Sequence, residues 1–314
     1  MHLLTHTEKL PGLPLQAATK YIEAQLADAT RRAYRSDAKV FADWCAGRQH
    51  QPIPATPETV AEFLASQADD GVKPATLRRR VAAIKFAHQA AGLDSPTSSM
   101  TVSATLKGIF NRVGVKPNRK APATAPRLRE MIQYCPDSQI GLRDRAMLLL
   151  GFAGAFRRSE LVALTVSDLE ETPNGLRVTI RKSKTDQQGA GQTIAILRGD
   201  VHCPIQALQT WLQAAGISEG YLFRSIGKGG RVSQNPLSTK SVAQVIKTHA
   251  SQAGLKAEDY AGHSLRSGFL TSAAENGANL FKLMEVSRHK SVETVRGYVR
   301  NADLFKGHAG AGLL

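Results

Sequence analysis

The stretch VGVKPNRKAPATAPRL, from Val113 to Leu128, constrains the fold more than any other part of the chain. Three prolines and the cations Lys116, Arg119 and Lys120 interrupt it, with no acidic residue to offset them. Proline removes backbone donors and fixes φ, so such a run continues neither a helix nor a sheet interior and reads as an extended linker. The 314 residues are thereby split into two folding units, each long enough to bury a core of its own.

Before the linker the pattern is helical. LQAATKYIEAQLA is a candidate opening helix, and DATRRAYRSDAKVFADWCAGR a second, with Tyr34, Phe41 and Trp44 spaced for one buried face. TPETVAEFLASQADD opens with a Thr cap and a Pro at the first helical position. PATLRRRVAAIKFAHQAAG places Leu77, Val81, Ile84 and His88 at helical spacing and stops at Gly92, and SMTVSATLKGIFNR follows as a fifth helix.

After the linker the pattern is mixed. RLREMIQYC and IGLRDRAMLLLGFAGA read as helices, as do residues 202–215, 238–253, 264–276 and 291–299. GLRVTIRKSKTDQQGAGQTIAI alternates β-branched and polar residues around a polar, Gly-containing turn, the signature of a hairpin. The fold class expected is mainly α with a small β-sheet.

Charge narrows the function. Lys and Arg number 41 against 26 Asp and Glu, a net +15. Residues 1–120 hold 17 basic against 10 acidic side chains and the remainder 24 against 16, so both halves share the excess. A positive field of this size attracts polyanions, and nucleic acid is the leading partner. The longest apolar run, AMLLLGFAGAF, is too short to span a bilayer, and the start lacks a secretion signal. Cys45, Cys135 and Cys203 are scattered and odd in number, which suggests neither a disulfide framework nor a zinc site and fits a cytoplasmic location.

Four stretches of the second half carry chemistry-bearing residues. FRRSEL supplies Arg157 and Glu160; SKT supplies Lys184 near the hairpin tip; HSLR supplies His263 and Arg266; RHKSVETVRGY supplies His289 and Tyr298. Singly each has a plain alternative: a surface ion pair, a solvated turn lysine, a capping histidine, a packed tyrosine. Together and in this order they resemble the tyrosine recombinase (phage integrase) family, in layout its Cre-like simple site-specific recombinases. That pattern is Arg, Lys, His-x-x-Arg, His or Trp, then Tyr, with the nine-residue step from His289 to Tyr298 as in the family. The resemblance covers nearly the whole chain.

The resemblance implies a helical core-binding domain over 1–115, a basic linker over 116–126 and a mixed α/β, mostly α, catalytic domain over 127–300, together a C-shaped DNA clamp. A tail over 301–314 would dock on a neighbouring protomer. Phosphodiester chemistry suits these residues independently. Two guanidiniums, Arg157 and Arg266, can hold the nonbridging oxygens as negative charge grows on them. His263 would accept or relay the Tyr298 proton, Lys184 would protonate the departing 5′ oxygen, His289 would hydrogen-bond the phosphate, and Glu160 would orient the site. The product would be a 3′-phosphotyrosyl DNA, rejoined without ATP, cofactor or metal.

The resemblance also assigns DNA contacts to Thr30, Arg32 and Ala33 on one helix, Thr76, Arg78 and Arg79 on another, and Lys240, where the family has an arginine. The partner expected is double-stranded DNA bearing an inverted-repeat recombination site, bound by a homotetramer through a Holliday junction, with no membrane and no small-molecule substrate. About 15 residues precede the first expected helix, so no separate arm-binding domain is expected. The readings that compete are a non-catalytic DNA-binding or architectural protein of the same fold and a type IB topoisomerase.

Overall fold

A computed structural model describes residues 26–114, 120–181 and 191–302, with side chains through residue 299. The expected opening helix, the linker through Arg119, the hairpin tip with Lys184, and the tail lie wholly or almost wholly outside the described residues. The chain divides into two compact units, Met1–Asn118 and Arg119–Leu314.

The first unit is built from α1 (Asp28–Gly47), α2 (Pro57–Asp69), α3 (Pro74–Ala90) and α4 (Met100–Val113). Local signals set its boundaries. Thr56 Oγ1 accepts the Thr59 N–H at 3.2 Å ahead of α2, and Ser99 Oγ accepts the Val102 N–H at 3.2 Å ahead of α4. Phe41, Cys45, Val60, Phe63, Leu64, Leu77, Ile84 and Val102 form one core. His88 is a structural member of it: Nδ1–H donates to Ile84 O at 2.9 Å, and Nε2 accepts the Ala55 N–H at 3.0 Å.

The second unit begins with α5 (Ala125–Gln133), α6 (Gln139–Ala153) and α7 (Arg158–Ala163). Strands β1 (Leu169–Thr172), β2 (Gly175–Ile180) and β3 (Gln192–Leu197) form an antiparallel sheet in that order. The β2–β3 register pairs Gly175 with Leu197 and Ile180 with Gln192, as the alternation predicts, and the inward row is Leu176, Val178, Ile180, Ile194 and Ile196. Then follow α8 (Pro204–Ala214), the hairpin β4 (Arg224–Ile226) and β5 (Val232–Pro236), α9 (Thr239–Gln252), α10 (Ser264–Glu275), α11 (Leu280–Ser287) and α12 (Val292–Ala302). The main core joins α6, the sheet, α8 and α9 around Met147, Trp211 and Phe223, while Leu270, Ala274, Leu283 and Val295 form a smaller cluster among the last three helices.

From Lys120 onward, the segment read as linker is tied to this second unit. Ala121 N–H donates to Asp259 O at 2.7 Å, Ala123 N–H to Ser264 O at 2.8 Å, and the Ala125 N–H to Ser272 Oγ at 2.8 Å. Gly268 makes the approach possible, because a Cβ there would come within 1.8 Å of Ala123 O. Pro122 does not prevent docking, since the alternate backbone groups still find partners, and Pro126 sits in the first turn of α5, where a proline is tolerated.

Candidate active site

The site grows from a tight turn. After α6 the chain passes through Gly154 and Ala155, the latter at φ 45, and Arg157 becomes the N-cap of α7. Glu160, one turn in, reaches back: Oε2 accepts the Arg157 N–H at 2.9 Å, and Oε1 accepts Arg157 Nη1 at 2.6 Å. The carboxylate thus caps the helix and holds the guanidinium of the residue that begins it. Both side chains are buried, where the sequence alone allowed a surface pair.

Helix α10 delivers the second guanidinium. His263 is its exposed N-cap, and Arg266 lies one turn further in, 4 % exposed. Arg266 Nη1 donates to Ala155 O at 2.7 Å, and Nη2 to Ser287 O. Nη2 is also 3.3 Å and 3.2 Å from the two ring nitrogens of His289, a contact with the ring as a whole. Burial, with Arg157 and Arg288 close by, pushes the Arg266 guanidinium down to about 9, against the pull of Glu160 and Tyr298, and it stays charged at neutral pH.

Arg288, which sequence reasoning left without a role, completes the cluster. It is the C-cap of α11 in the left-handed conformation, φ 57 and ψ 40, and is 4 % exposed. Its Nη2 donates to Glu160 Oε2 at 2.8 Å, behind the turn that carries Arg157. Burial alone would raise the Glu160 carboxyl, but Arg288 and the Arg157 N–H and guanidinium outweigh it and hold the group below the usual carboxylate range.

His289 follows. Ser287 Oγ–H donates to Leu283 O at 2.5 Å, so the 2.7 Å contact between Ser287 Oγ and His289 Nδ1 is a bond donated by Nδ1–H. Nε2 therefore carries the lone pair of the neutral ring. Burial, then Arg266, Arg157, Arg288 and His263, press its pKa down to about 4, so the ring is neutral at physiological pH.

Tyr298 lies on α12, half-buried, beside Val299 and Met284 on the small cluster of Leu270, Leu283 and Val295. It stands close enough to Arg266 to act on that group's charge. The structure thus gathers Arg157, Glu160, Arg266, His289 and Tyr298 from four separated segments of the chain. Lys184 lies outside the described residues. Lys240 is exposed in the first turn of α9.

In the first unit, Thr30, Arg32 and Ala33 lie in the first turns of α1, with Arg32 exposed. Thr76, Arg78 and Arg79 lie in the first turns of α3. Arg78 packs over the Phe110 ring, 4.3 Å from its centroid, and Arg79 is paired with Asp37.

A second buried charge network lies under α6 and α9. Asp144 Oδ1 accepts Arg143 Nη2 at 2.7 Å, and Asp144 Oδ2 meets His249 Nε2 at 3.1 Å. Burial lowers His249, but the bonds to Asp144 and Cys135 win and raise it to about 9. Among the described residues no group of three or more His, Cys, Asp or Glu is placed to hold a metal ion, and no helix is long and apolar enough to cross a membrane.

Comparison with known proteins places these features together. Residues 123–304 match the phage integrase family, and residues 20–92 match the phage integrase N-terminal SAM-like domain. The chain is 38% identical over 299 residues to the integrase/recombinase xerD homolog of Selenomonas ruminantium, covering 93% of this chain and 87% of that protein. It is 24% identical over 332 residues to the recombinase cre of Escherichia phage P1, covering 96% and 95%. Its fold is similar to that of a lambda integrase dimer bound to a COC′ core site, with a TM-score of 0.61 at 19% identity over 90% of this chain and 75% of that one.

Proposed function

The chain belongs to the phage integrase family and is a tyrosine recombinase, an enzyme of DNA strand transfer; from that premise we propose how its own residues cleave and rejoin a strand. The observation that carries the reading is the pairing of Arg157 and Arg266 on either side of the turn at Ala155, beside His289 and Tyr298.

Guanidiniums pressed together by burial repel each other, and an anion between them relieves that repulsion. A phosphodiester is such an anion, and two planar forks suit its nonbridging oxygens. Tyr298 Oη attacks phosphorus and its proton passes to His263. The bond to the 5′ oxygen breaks, Lys184 protonates that oxygen, and the 3′ phosphate remains on Tyr298 as an ester. The reverse attack by a 5′ hydroxyl of another strand restores the backbone, so no ATP is consumed. Donors already in place as charge develops cost no reorganisation, which is why such groups make the largest contribution to rate in sites of this kind. Glu160 orients Arg157, and His289 donates from Nε2 to the phosphate once the anion has raised its proton affinity.

The substrate proposed is double-stranded DNA with an inverted repeat, bound by a homotetramer on two synapsed sites in the cytoplasm. Thr30, Arg32, Ala33, Thr76, Arg78, Arg79 and Lys240 are proposed to contact it. The domains proposed are 1–115 and 127–300, joined by a connecting segment over 116–126 whose later residues are docked on the second unit, and a tail over 301–314 that docks on a neighbour. Selection from random duplexes would identify the repeat. A nicked duplex carrying it should then form a covalent adduct with the chain and none with Tyr298→Phe, which still binds. An adduct persisting in Tyr298→Phe overturns the assignment.

A further inference from the structure

Between the two arginines assigned to the phosphate lies a third guanidinium that the proposed reaction does not use. Arg288 Nη2 donates to Glu160 Oε2 at 2.8 Å and to Ala155 O at 3.0 Å. Its Nη1 donates to Gly154 O at 3.0 Å and to Val286 O at 2.6 Å. Glu160 holds Arg157 through its other oxygen at 2.6 Å, and Ala155 O also accepts Arg266 Nη1 at 2.7 Å. An unbroken run of hydrogen bonds therefore goes from Arg157 through Glu160, Arg288 and the Ala155 carbonyl to Arg266. Arg288 is its middle link.

We propose that Arg288 is a positioning residue of the strand-transfer site, which sets the separation of the Arg157 and Arg266 forks by sharing one acceptor with each. The proposal rests on the strand-transfer reading above.

Three features distinguish this residue from core filler. A cation buried beside Arg157 and Arg266 is costly, and an apolar side chain would fill the space without that cost. The backbone at 288 is left-handed, where an L side chain is disfavoured and glycine is the usual occupant. The fork is also incompletely satisfied: Nε is buried with no hydrogen-bond partner, while both Nη atoms go to groups that flank the site. The residue occupies this position despite three unfavourable circumstances, and three of its four bonds go to the turn or to the acid that holds a phosphate-facing arginine. Lysine, a single point of charge, cannot reach Glu160 and the paired carbonyls at once.

The test uses the whole chain and a nicked duplex carrying its selected inverted repeat. Arg288→Gly suits the left-handed backbone and removes the guanidinium; Arg288→Lys keeps a charge and loses the fork. Adduct formation should slow on the order of 10- to 100-fold in Arg288→Gly, by analogy with the loss of a partner that orients a metal ligand. The loss should be smaller in Arg288→Lys, with affinity for the same duplex unchanged in both. Adduct formation at the wild-type rate by folded Arg288→Gly overturns the proposal, and so does a loss of affinity that matches the loss of rate. Where Arg288→Gly does not fold, a wild-type rate in Arg288→Lys overturns it. Failure of both variants to fold also overturns it, because Arg288 would then hold the fold and not the site. A wild-type chain that forms no adduct instead overturns the strand-transfer reading itself.

Discussion

Arg79 commits its guanidinium to Asp37: Nε donates to Oδ2 at 2.6 Å and Nη2 to Oδ1 at 3.1 Å, across 42 residues of sequence. Asp37 is 3 % exposed on α1, and Arg80 Nε stands 3.8 Å from its Oδ1. The pair ties α1 to α3, the two helices proposed to meet DNA. Asp37 takes the Nε side of the guanidinium, so a base contact by Arg79 would have to use its Nη1 end.

Arg79→Ala should therefore destabilise the first unit, because it leaves a buried carboxylate short of its main partner. The expected loss is roughly 2–3 kcal/mol, less than for a fully buried pair because Arg79 is half in solvent. Urea unfolding measures it. Wild-type stability in Arg79→Ala would show that Asp37 is adequately paired by Arg80 alone.

The fork geometry of Arg157 makes its replacement by lysine non-conservative. Arg157→Lys should lower adduct formation on the order of 10²- to 10³-fold, the scale for losing one preorganised donor to a developing oxyanion. Binding of the duplex, measured by gel shift, should be nearly unchanged.

His289 and His249 should titrate in opposite directions. His289 is pressed down to about 4 from an ordinary value of 6.5, so the unfolded chain binds that proton more tightly. Its contribution to stability is present above pH 6.5 and is lost as the pH falls toward 4. His249, raised to about 9 mainly by Asp144, contributes stability that is full below pH 6.5 and is lost as the pH rises through 9. Ring-nitrogen NMR at pH 7 should find His289 neutral with its proton on Nδ1, and His249 protonated. Binding of inorganic phosphate should raise His289.

Gly268→Ala should disturb the site from a distance. The added Cβ would meet the Ala123 carbonyl, so either the docked segment or α10, which carries Arg266, must shift. A loss of about 3 kcal/mol in thermal or urea unfolding is expected, at the upper end for overpacking. Adduct formation should fall beyond what the lost stability explains.

Much of this was legible in the chain. Side-chain alternation predicted the β2–β3 hairpin, and the Thr56 and Pro57 signals predicted the start of α2. What escaped did so for physical reasons. The β4–β5 hairpin runs through RSIGKGGRVSQNP, whose short, mostly polar strands have no apolar row to betray them. Helix α11 has only eight residues, too few for a periodicity to emerge. Arg143 and Asp144 look like solvated charges in LRDR and are buried because His249 meets them from 105 residues away. Arg288 looked like one more surface cation in SRHK. Its role depends on a left-handed cap and on a carboxylate 128 residues earlier, and neither has a local sequence signal.

The central claim is that Tyr298 is the nucleophile. The direct measurement is mass spectrometry of proteolytic peptides after the chain has reacted with a nicked duplex carrying its selected repeat. The account predicts a nucleotide linked through a 3′ phosphate to the peptide that contains Tyr298, and to no other. Linkage through Tyr260, Tyr221 or any residue other than Tyr298 would contradict it.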